Sequence, residues 1–160
     1  MFSASRLRSW RTRGLGKWRE YGIGARIRRV RILTVGNRYP PWSTGGYEVV
    51  WQASVAWLRD AGHEVRVLTT VPDPSDRRTG TRPTEVHREL QWYWRNHEFP
   101  KLSLRRTTGL ERANAATFAR HVRELRPDAV VWWALGGMSL SLLEQARRAG
   151  IPAIGLVGDE

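Results

Sequence analysis

The sequence predicts an α/β fold in which a parallel sheet carries helices on both faces, in the three-layer arrangement of Rossmann-like domains. Two observations support this prediction. Short apolar, β-branched stretches of the kind that form buried strands are bounded by turn residues. Most of them alternate with longer stretches in which apolar residues recur at helical spacing. Parallel strands joined by helices form right-handed crossovers, which place helices on both sides of the sheet.

The first strand, the loop after it and the next helix form the most informative stretch. The strand covers residues 31–36, and Pro40-Pro41 cannot continue it because proline has no N–H for a strand ladder. Gly45 and Gly46 can take backbone angles that other residues avoid. The helix is expected over 47–61, with one apolar stripe of the kind that faces a core: Val50, Ala53, Trp57, Leu58 and Ala61. Free N–H groups and the helix dipole at such a helix start favour an anion, typically a phosphate.

Four more strands and two more helices follow. The strands are expected at 64–69, 86–94, 128–133 and 153–157. Arg88 interrupts the apolar face of the third strand, which favours a position at the edge of the sheet. A capping-box pattern at 108–111 is expected to begin a helix that Pro127 ends, and the last helix is expected to end near Ala149. In such sheets ligands bind beyond the carboxyl ends of the strands, here 36–46, 69–72, 133–137 and 158–160.

The positive charge of the chain is concentrated near its N-terminus. The 160 residues carry a net charge of +12, and residues 1–31 account for +9 of it, with ten Arg/Lys against Glu20. Residues 1–29 are therefore separated as a basic, Arg/Trp-rich extension from a domain over 30–160. Two interpretations remain open: a leader without a binding role, or a segment that lies on an anionic membrane with Trp10 and Trp18 at the interface. The second would place a cytoplasmic protein at the inner face of the membrane.

Several classes of protein are disfavoured by what the sequence lacks. It has no cysteine, so disulfides, thiol catalysis and cysteine–zinc sites are excluded. It lacks both the G-x-G-x-x-G loop and the acidic end of the second strand that a nicotinamide-binding domain requires. No hydrolase motif is present, and the spacing of His87 and His97 suggests no metal site, so neither a metal nor a cofactor is predicted. A nucleotide- or nucleic-acid-binding module without transferase activity remains the alternative, although no nucleic-acid recognition motif is found.

Four stretches in order resemble the N-terminal domain of GT-B glycosyltransferases, and glycosyltransferase family 4 in particular. The first is a strand that runs into Pro40-Pro41, then Gly45-Gly46 and then Glu48. The others are Leu58 to Thr69 with its Gly-His-Glu-Val turn, Arg126 to Val131, and Ala149 to Ile154. The resemblance covers about residues 30–157.

The resemblance implies retaining transfer of a sugar from a nucleotide-sugar to an acceptor, a reaction of class EC 2.4. It implies that Gly45 and Gly46 approach the donor phosphate. Glu48 matches the acidic residue after that loop, and it is equally well placed to cap the helix from its first turn. The substrates implied are a nucleotide-diphosphate sugar and an acceptor that the sequence does not identify.

The sequence departs from the family in two ways. Members often have a histidine after the fourth strand, where this chain has Trp132-Trp133. Trp133 could instead stack on a sugar, and the further cleft candidates are Gly136, Gly137, Asp159 and Glu160. In addition, nothing resembles the second, donor-binding domain, to which the family assigns its paired glutamates. We therefore expect the catalytic residues to lie in that missing domain and the 160-residue chain to be inactive alone, which leaves open whether the chain by itself is an enzyme.

Overall fold

A computed structural model describes residues 28–42, 45–72, 85–93 and 100–156. Within these ranges the strands are β1 (Arg31–Val35), β2 (Glu64–Thr70), β3 (Val86–Leu90), β4 (Ala129–Trp132) and β5 (Ala153–Gly155). The helices are α1 (Gly46–Asp60), α2 (Leu104–Leu125) and α3 (Ser141–Arg148). The predicted sequence of elements is confirmed, and the extension at 1–29 lies almost wholly outside the described residues.

The five strands form one parallel sheet in the order β3-β2-β1-β4-β5. Val35 pairs with Leu68 of β2 on one side and with Trp132 of β4 on the other, so the strands end close to one level. The chain crosses from one half of the sheet to the other after β3. A crevice between the loops that follow β1 and β4 is therefore expected at the carboxyl edge. β3 lies at the edge of the sheet, as Arg88 had suggested.

Each face of the sheet has its own apolar core, which confirms the three layers. On one face α1 packs on a cluster made of Ile32, Tyr39, Trp51, Val55, Val65, Val67 and Trp133. On the other face α2 and α3 pack on Leu33, Val35, Leu68, Leu90, Phe118, Leu125, Val130, Trp132, Met138, Leu142 and Ala146. Alternation along β1 explains this division, because neighbouring residues of a strand point to opposite faces.

The apolar stripe predicted for the first helix is wrong at most of its positions, although its Leu58 does pack against the core. Val50 is 58% exposed and Trp57 is 65% exposed, while Trp51 and Val55 are buried against the sheet. Apolar residues occur nearly all round this helix. The predicted stripe and the buried stripe therefore both show the three- and four-residue spacing of an amphipathic helix. Periodicity alone could not select between the two faces.

The start predicted for the second helix is also wrong. Ser103 is the N-cap of α2, and its hydroxyl accepts a 3.4 Å hydrogen bond from the N–H of Arg106. Thr108, expected as the cap, lies inside the helix and donates its hydroxyl to the carbonyl of Leu104 at 2.8 Å. Arg126 ends the helix in the left-handed conformation, and Pro127 follows as predicted. Over the described residues, no helix has both the length and the apolar content needed to cross a membrane.

Candidate functional site

Asn37 connects three loops at the carboxyl edge of the sheet. Its N–H donates to the carbonyl of Ala134 at 2.8 Å, and its side-chain amide donates to the carbonyl of Gly136 at 3.2 Å. Its own carbonyl accepts hydrogen bonds from the hydroxyls of Thr69 and Thr70 at the end of β2. The loops after β1, β2 and β4 are thereby held in one arrangement. Sequence reasoning did not single out Asn37, whose only signal is a polar residue directly after a buried strand.

Cationic and aromatic side chains form one wall of this edge. The Arg88 guanidinium donates to the carbonyls of Tyr39 and Pro40, at 3.1 and 2.7 Å, and lies 4.4 Å from the centre of the Trp42 ring. The peptide bond between Pro40 and Pro41 is cis. A guanidinium over an aromatic face is attracted by the ring quadrupole, so the wall is held by charge as well as by packing.

Arg38 and Trp92 extend the same wall. The Arg38 guanidinium lies 4.7 Å from the centre of the Trp92 ring, and the Trp92 indole donates to the carbonyl of Gly136 at 2.7 Å. The residue after Trp92 donates its N–H to the carbonyl of Gly137 at 3.2 Å. The structure thus brings the predicted Gly136 and Gly137 beside the loops after β1 and β3. Gly137 has φ +73°, a conformation that favours glycine.

The N-terminus of α1 carries the predicted phosphate loop. Gly45 is the N-cap residue, and its N–H donates to the Glu48 carboxylate at 3.0 Å, which confirms that Glu48 caps the helix. Neither glycine has a positive φ, so the special backbone angles expected of them are wrong for this conformation. A Cβ on Gly46 would have nothing within 4 Å, and one on Gly45 would only touch the Glu48 carboxylate at 3.9 Å. The fold itself therefore does not require glycine at 46.

Trp132 and Trp133 are both buried, on opposite faces of the sheet. Trp132 stacks with Phe118 of α2, and Trp133 stacks with Trp51 of α1, their ring centres 5.7 Å apart. The Tyr47 ring lies edge-on to Trp133 at 5.3 Å. The Tyr47 hydroxyl donates to the carbonyl of Leu156, and burial raises its pKa above the usual value. The predicted stacking of Trp133 on a sugar stays a prediction, and it would require Tyr47 to move aside.

Asn114 of α2 makes hydrogen bonds to both the loop after β3 and the loop after β4. Its fully buried side-chain amide accepts from the N–H of Gln91 at 2.7 Å and donates to the Gln91 carbonyl at 2.9 Å. It also donates to the hydroxyl of Ser139 at 2.8 Å. The oxygen and the nitrogen of this buried amide both have hydrogen-bond partners. Asn114 thereby links the loops after β3 and β4, which the hydrogen bonds between the strands do not join.

The described loops of this edge supply hydrogen bonds, cations and aromatic faces. The loops 36–42, 71–72, 91–93 and 133–140 contain neither a carboxylate nor a histidine. Glu48 is buried and is used as a cap, while Asp159 and Glu160 lie outside the described residues. This part of the edge can therefore hold and orient polar ligands, but it has neither a carboxylate nor an imidazole to act as general acid or base.

A separate polar cluster lies on the face of the sheet that α2 covers. His87 and Glu89 of β3 lie next to His121 of α2, and their ligand atoms are all within 4.8 Å of one another. The expectation that nothing lies near His87 at ligand spacing is therefore wrong in the folded chain, while the absence of a metal stays a prediction. His121 is 34 positions away in the sequence, so only the packing of α2 on β3 reveals the grouping; His97 lies outside the described residues.

Most of the chain matches a known protein family. Residues 45–157 match the family described as "Glycosyl transferase 4-like domain". The matched range begins at the N-cap of α1 and includes every later strand and helix of the sheet. Among curated proteins, no significant match to the chain is found.

Proposed function

Because the chain belongs to the glycosyl transferase 4-like domain family, we propose that it is the acceptor-side domain of a retaining glycosyltransferase of GT-B architecture. The reaction would move a sugar from a nucleotide-diphosphate sugar to an acceptor. The observation that carries this proposal is the carboxyl edge of the sheet, where Asn37 joins three loops close to the start of α1. A rigid, polar and aromatic edge of this kind suits a ligand with many hydroxyl groups.

The donor phosphate is proposed to approach the start of α1 at Gly45 and Gly46. The first N–H groups of a helix lack partners within it, and the helix dipole favours a negative charge there. The N–H of Gly45 already donates to Glu48, so the phosphate is proposed to bind the N–H groups that follow it in the first turn of α1. The open space around Gly46 is then required by the ligand rather than by the fold.

The acceptor is proposed to bind along the wall at Arg38 and Trp92, which are partly exposed, whereas Trp42 is buried. A flat aromatic ring offers a face to the C–H groups of a sugar or a lipid-linked alcohol, and the cations can hold an anionic group nearby. We propose that chemistry requires carboxylates from a donor-binding domain, because the described loops of this edge carry none.

The proposal is tested first with the 160-residue chain alone. Uridine and guanosine diphosphate sugars are titrated into it, followed by saturation-transfer NMR, and transfer and hydrolysis of the same sugars are assayed. We expect no multiple turnovers, because one wall of a cleft cannot hold donor and acceptor at reacting distance, an effect worth about 7–11 kcal/mol of a barrier. Multiple turnovers by this chain would contradict the division of roles between two domains.

The second test uses a glycosyltransferase in which this domain is joined to a donor-binding domain. Gly46→Val should lower kcat/KM for the donor by at least about tenfold, a change of about 1.4 kcal/mol, and leave the melting temperature nearly unchanged. Gly109→Val is the matched control, because Gly109 is also an exposed helical glycine with nothing within 4 Å of an added Cβ. Equal kinetics of the two variants would show that the start of α1 is not part of the donor site.

A further inference from the structure

The cluster of His87, Glu89 and His121 has the donor spacing of a metal site. His87 Nδ1 lies 3.3 Å from Glu89 Oε1, and His121 Nε2 lies 3.5 Å from Glu89 Oε2. Nitrogen and oxygen ligands of a tetrahedral ion at about 2.0–2.1 Å from the metal lie about 3.3 Å from one another. The side chains are thus already close to the arrangement that an ion would impose. The packing of β3 against α2 produces it without any contribution from the carboxyl edge.

His121 gives an independent indication that this cluster binds a ligand. Its side chain is completely buried, and within the described part of the chain its Nε2 has no hydrogen bond of good geometry, only a 3.5 Å contact with the Glu89 carboxylate. A buried polar atom without a partner costs free energy, so such an atom needs a specific explanation. Nε2 is directed toward Glu89 and lies in the same group as His87, and the two rings are 4.7 Å apart. An ion bound between these three side chains would replace that long contact with a direct bond to Nε2.

Two arginines and a second glutamate surround the cluster and compete with a metal. Arg120 is paired with the Glu89 carboxylate, and Arg66 lies 3.3 Å from His121 Nδ1 and 3.1 Å from Glu124. When Nε2 binds a metal, Nδ1 must carry the proton, and Arg66 then has to rely on Glu124 alone.

We propose that His87, Glu89 and His121 bind a divalent transition-metal ion of the zinc class, with water completing its coordination. Two imidazoles and one carboxylate are typical ligands of Zn²⁺, whereas Mg²⁺ and Ca²⁺ prefer all-oxygen sites. His87 and Glu89 remain partly exposed, which gives the ion a path from solvent. The ion would fasten the edge strand β3 to α2, and it displaces Arg120 from Glu89. This site is independent of the proposed transferase role.

The test is zinc and cobalt titration of the full chain near pH 7.5. Isothermal calorimetry with Zn²⁺ should give one strong site, and Co²⁺ should develop the visible absorption of a four-coordinate nitrogen–oxygen site. His87→Gln and Glu89→Gln, both at partly exposed positions that are expected to tolerate the change, should weaken binding at least tenfold. His63→Gln is the matched control, because His63 lies in the turn before β2 and outside the cluster, and it should bind like the wild type.

The arginines make the test specific to this geometry. Arg120→Met should tighten Zn²⁺ binding several-fold, because it removes both a competing cation and the ion pair to Glu89. Arg123→Met, an exposed change on the same helix, should have no effect. Wild-type binding no tighter than that of His87→Gln, or no tightening in Arg120→Met, would show that the cluster is an ion-pair network without a metal and would overturn the proposal.

Discussion

The indole N–H of Trp51 in α1 donates a 2.7 Å hydrogen bond to the hydroxyl of Thr34 in β1, and both residues are buried. This bond gives Trp51 its orientation against the sheet. Its ring then stacks on Trp133 and meets the Tyr39 ring edge-on. This buried polar contact and the aromatic contacts around it therefore help to position the first helix, close to the loops of the candidate site.

Removing the hydroxyl at position 34 should destabilise the protein. Thr34→Val keeps the side-chain shape but leaves the Trp51 N–H buried without a partner, which costs about 1–3 kcal/mol. Urea denaturation followed by circular dichroism would measure this loss. Thr117→Val in α2, where the side chain is only partly buried, should change the free energy of unfolding much less. Equal effects of the two substitutions would show that the Trp51 bond contributes nothing specific.

Gly36 should not tolerate a methyl group. A Cβ at this position would lie 2.7 Å from a ring carbon of Trp51 and 3.0 Å from the Cβ of Trp133. We expect Gly36→Ala to lower the free energy of unfolding by about 1–3 kcal/mol, since the rings must shift to make room. Gly109→Ala is the control with the opposite sign, because that helical glycine faces open space and alanine is favoured there by about 0.5–1 kcal/mol. A Gly36→Ala variant as stable as the wild type would contradict the close packing.

The sequence predicted the sheet better than it predicted the helices. Strands such as β1 are short, apolar and bounded by turn residues, so their pattern has one interpretation, and Arg88 correctly marked β3 as an edge. The face of α1 was ambiguous because a stripe through Val50 and Trp57 fits helical periodicity as well as the buried stripe through Trp51. The buried face is the one whose Trp51 bonds to Thr34 and stacks on Trp133, and local periodicity does not contain such tertiary contacts.

In the candidate site, the sequence predicted contacts between residues that are close in the chain and did not predict contacts between distant ones. The Glu48 cap lies three residues from its partner Gly45, so sequence spacing was sufficient to predict it. The contacts of Asn37 and the partners of His121 depend on residues tens of positions away. Such groupings follow from the strand order and the packing of α2, which single-sequence patterns do not specify.

Acid should weaken the junction between β1 and β4. The Asp128 carboxylate accepts from the Arg31 side chain at 3.2 Å and from its N–H at 2.8 Å, and these bonds lower the Asp128 pKa from 3.8 to about 2. Because the pKa is lower in the folded state, this carboxylate stabilises the fold above about pH 4, and the contribution is lost as the pH falls toward 2. The stability difference between wild type and Asp128→Asn should therefore be largest near pH 5–7 and shrink between pH 4 and 2.

Glu144 provides the control for that experiment. Its pKa is also lowered to about 2, by hydrogen bonds from Arg147 and Arg148 on the solvent-exposed side of the same helix. A local, solvent-exposed pair contributes little to stability, so Glu144→Gln should change the unfolding curve less than Asp128→Asn at pH 7. Guanidinium titrations across this pH range measure the stability difference between wild type and Asp128→Asn. A difference that persists unchanged at pH 2 would contradict the role given to the ionised Asp128 carboxylate.

The basic extension should bind anionic membranes if its tryptophans act at an interface. Ten Arg/Lys residues in 1–31, together with Trp10 and Trp18, predict sedimentation with phosphatidylglycerol vesicles and release by salt. The same chain without residues 1–29 should stay in the supernatant, as should the full chain with neutral phosphatidylcholine vesicles. If both forms sediment equally, the extension is not the membrane-binding segment.

Asn114 and Ser139 should be energetically coupled, because one buried amide serves the loops after β3 and β4. Asn114→Ala leaves the backbone groups of Gln91 and the Ser139 hydroxyl without this partner, and each buried group left unpaired costs about 1–3 kcal/mol. Ser139→Ala removes only one of these bonds and should cost less. In a double-mutant cycle we expect a coupling energy of about 0.5–3 kcal/mol.

Hydrogen exchange at the N–H of Tyr93, which donates to Gly137, should quicken in Asn114→Ala and stay near the wild-type rate in Gly109→Ala. Additive effects and an unchanged exchange rate at Tyr93 would mean that the two loops of the candidate site are held independently of Asn114.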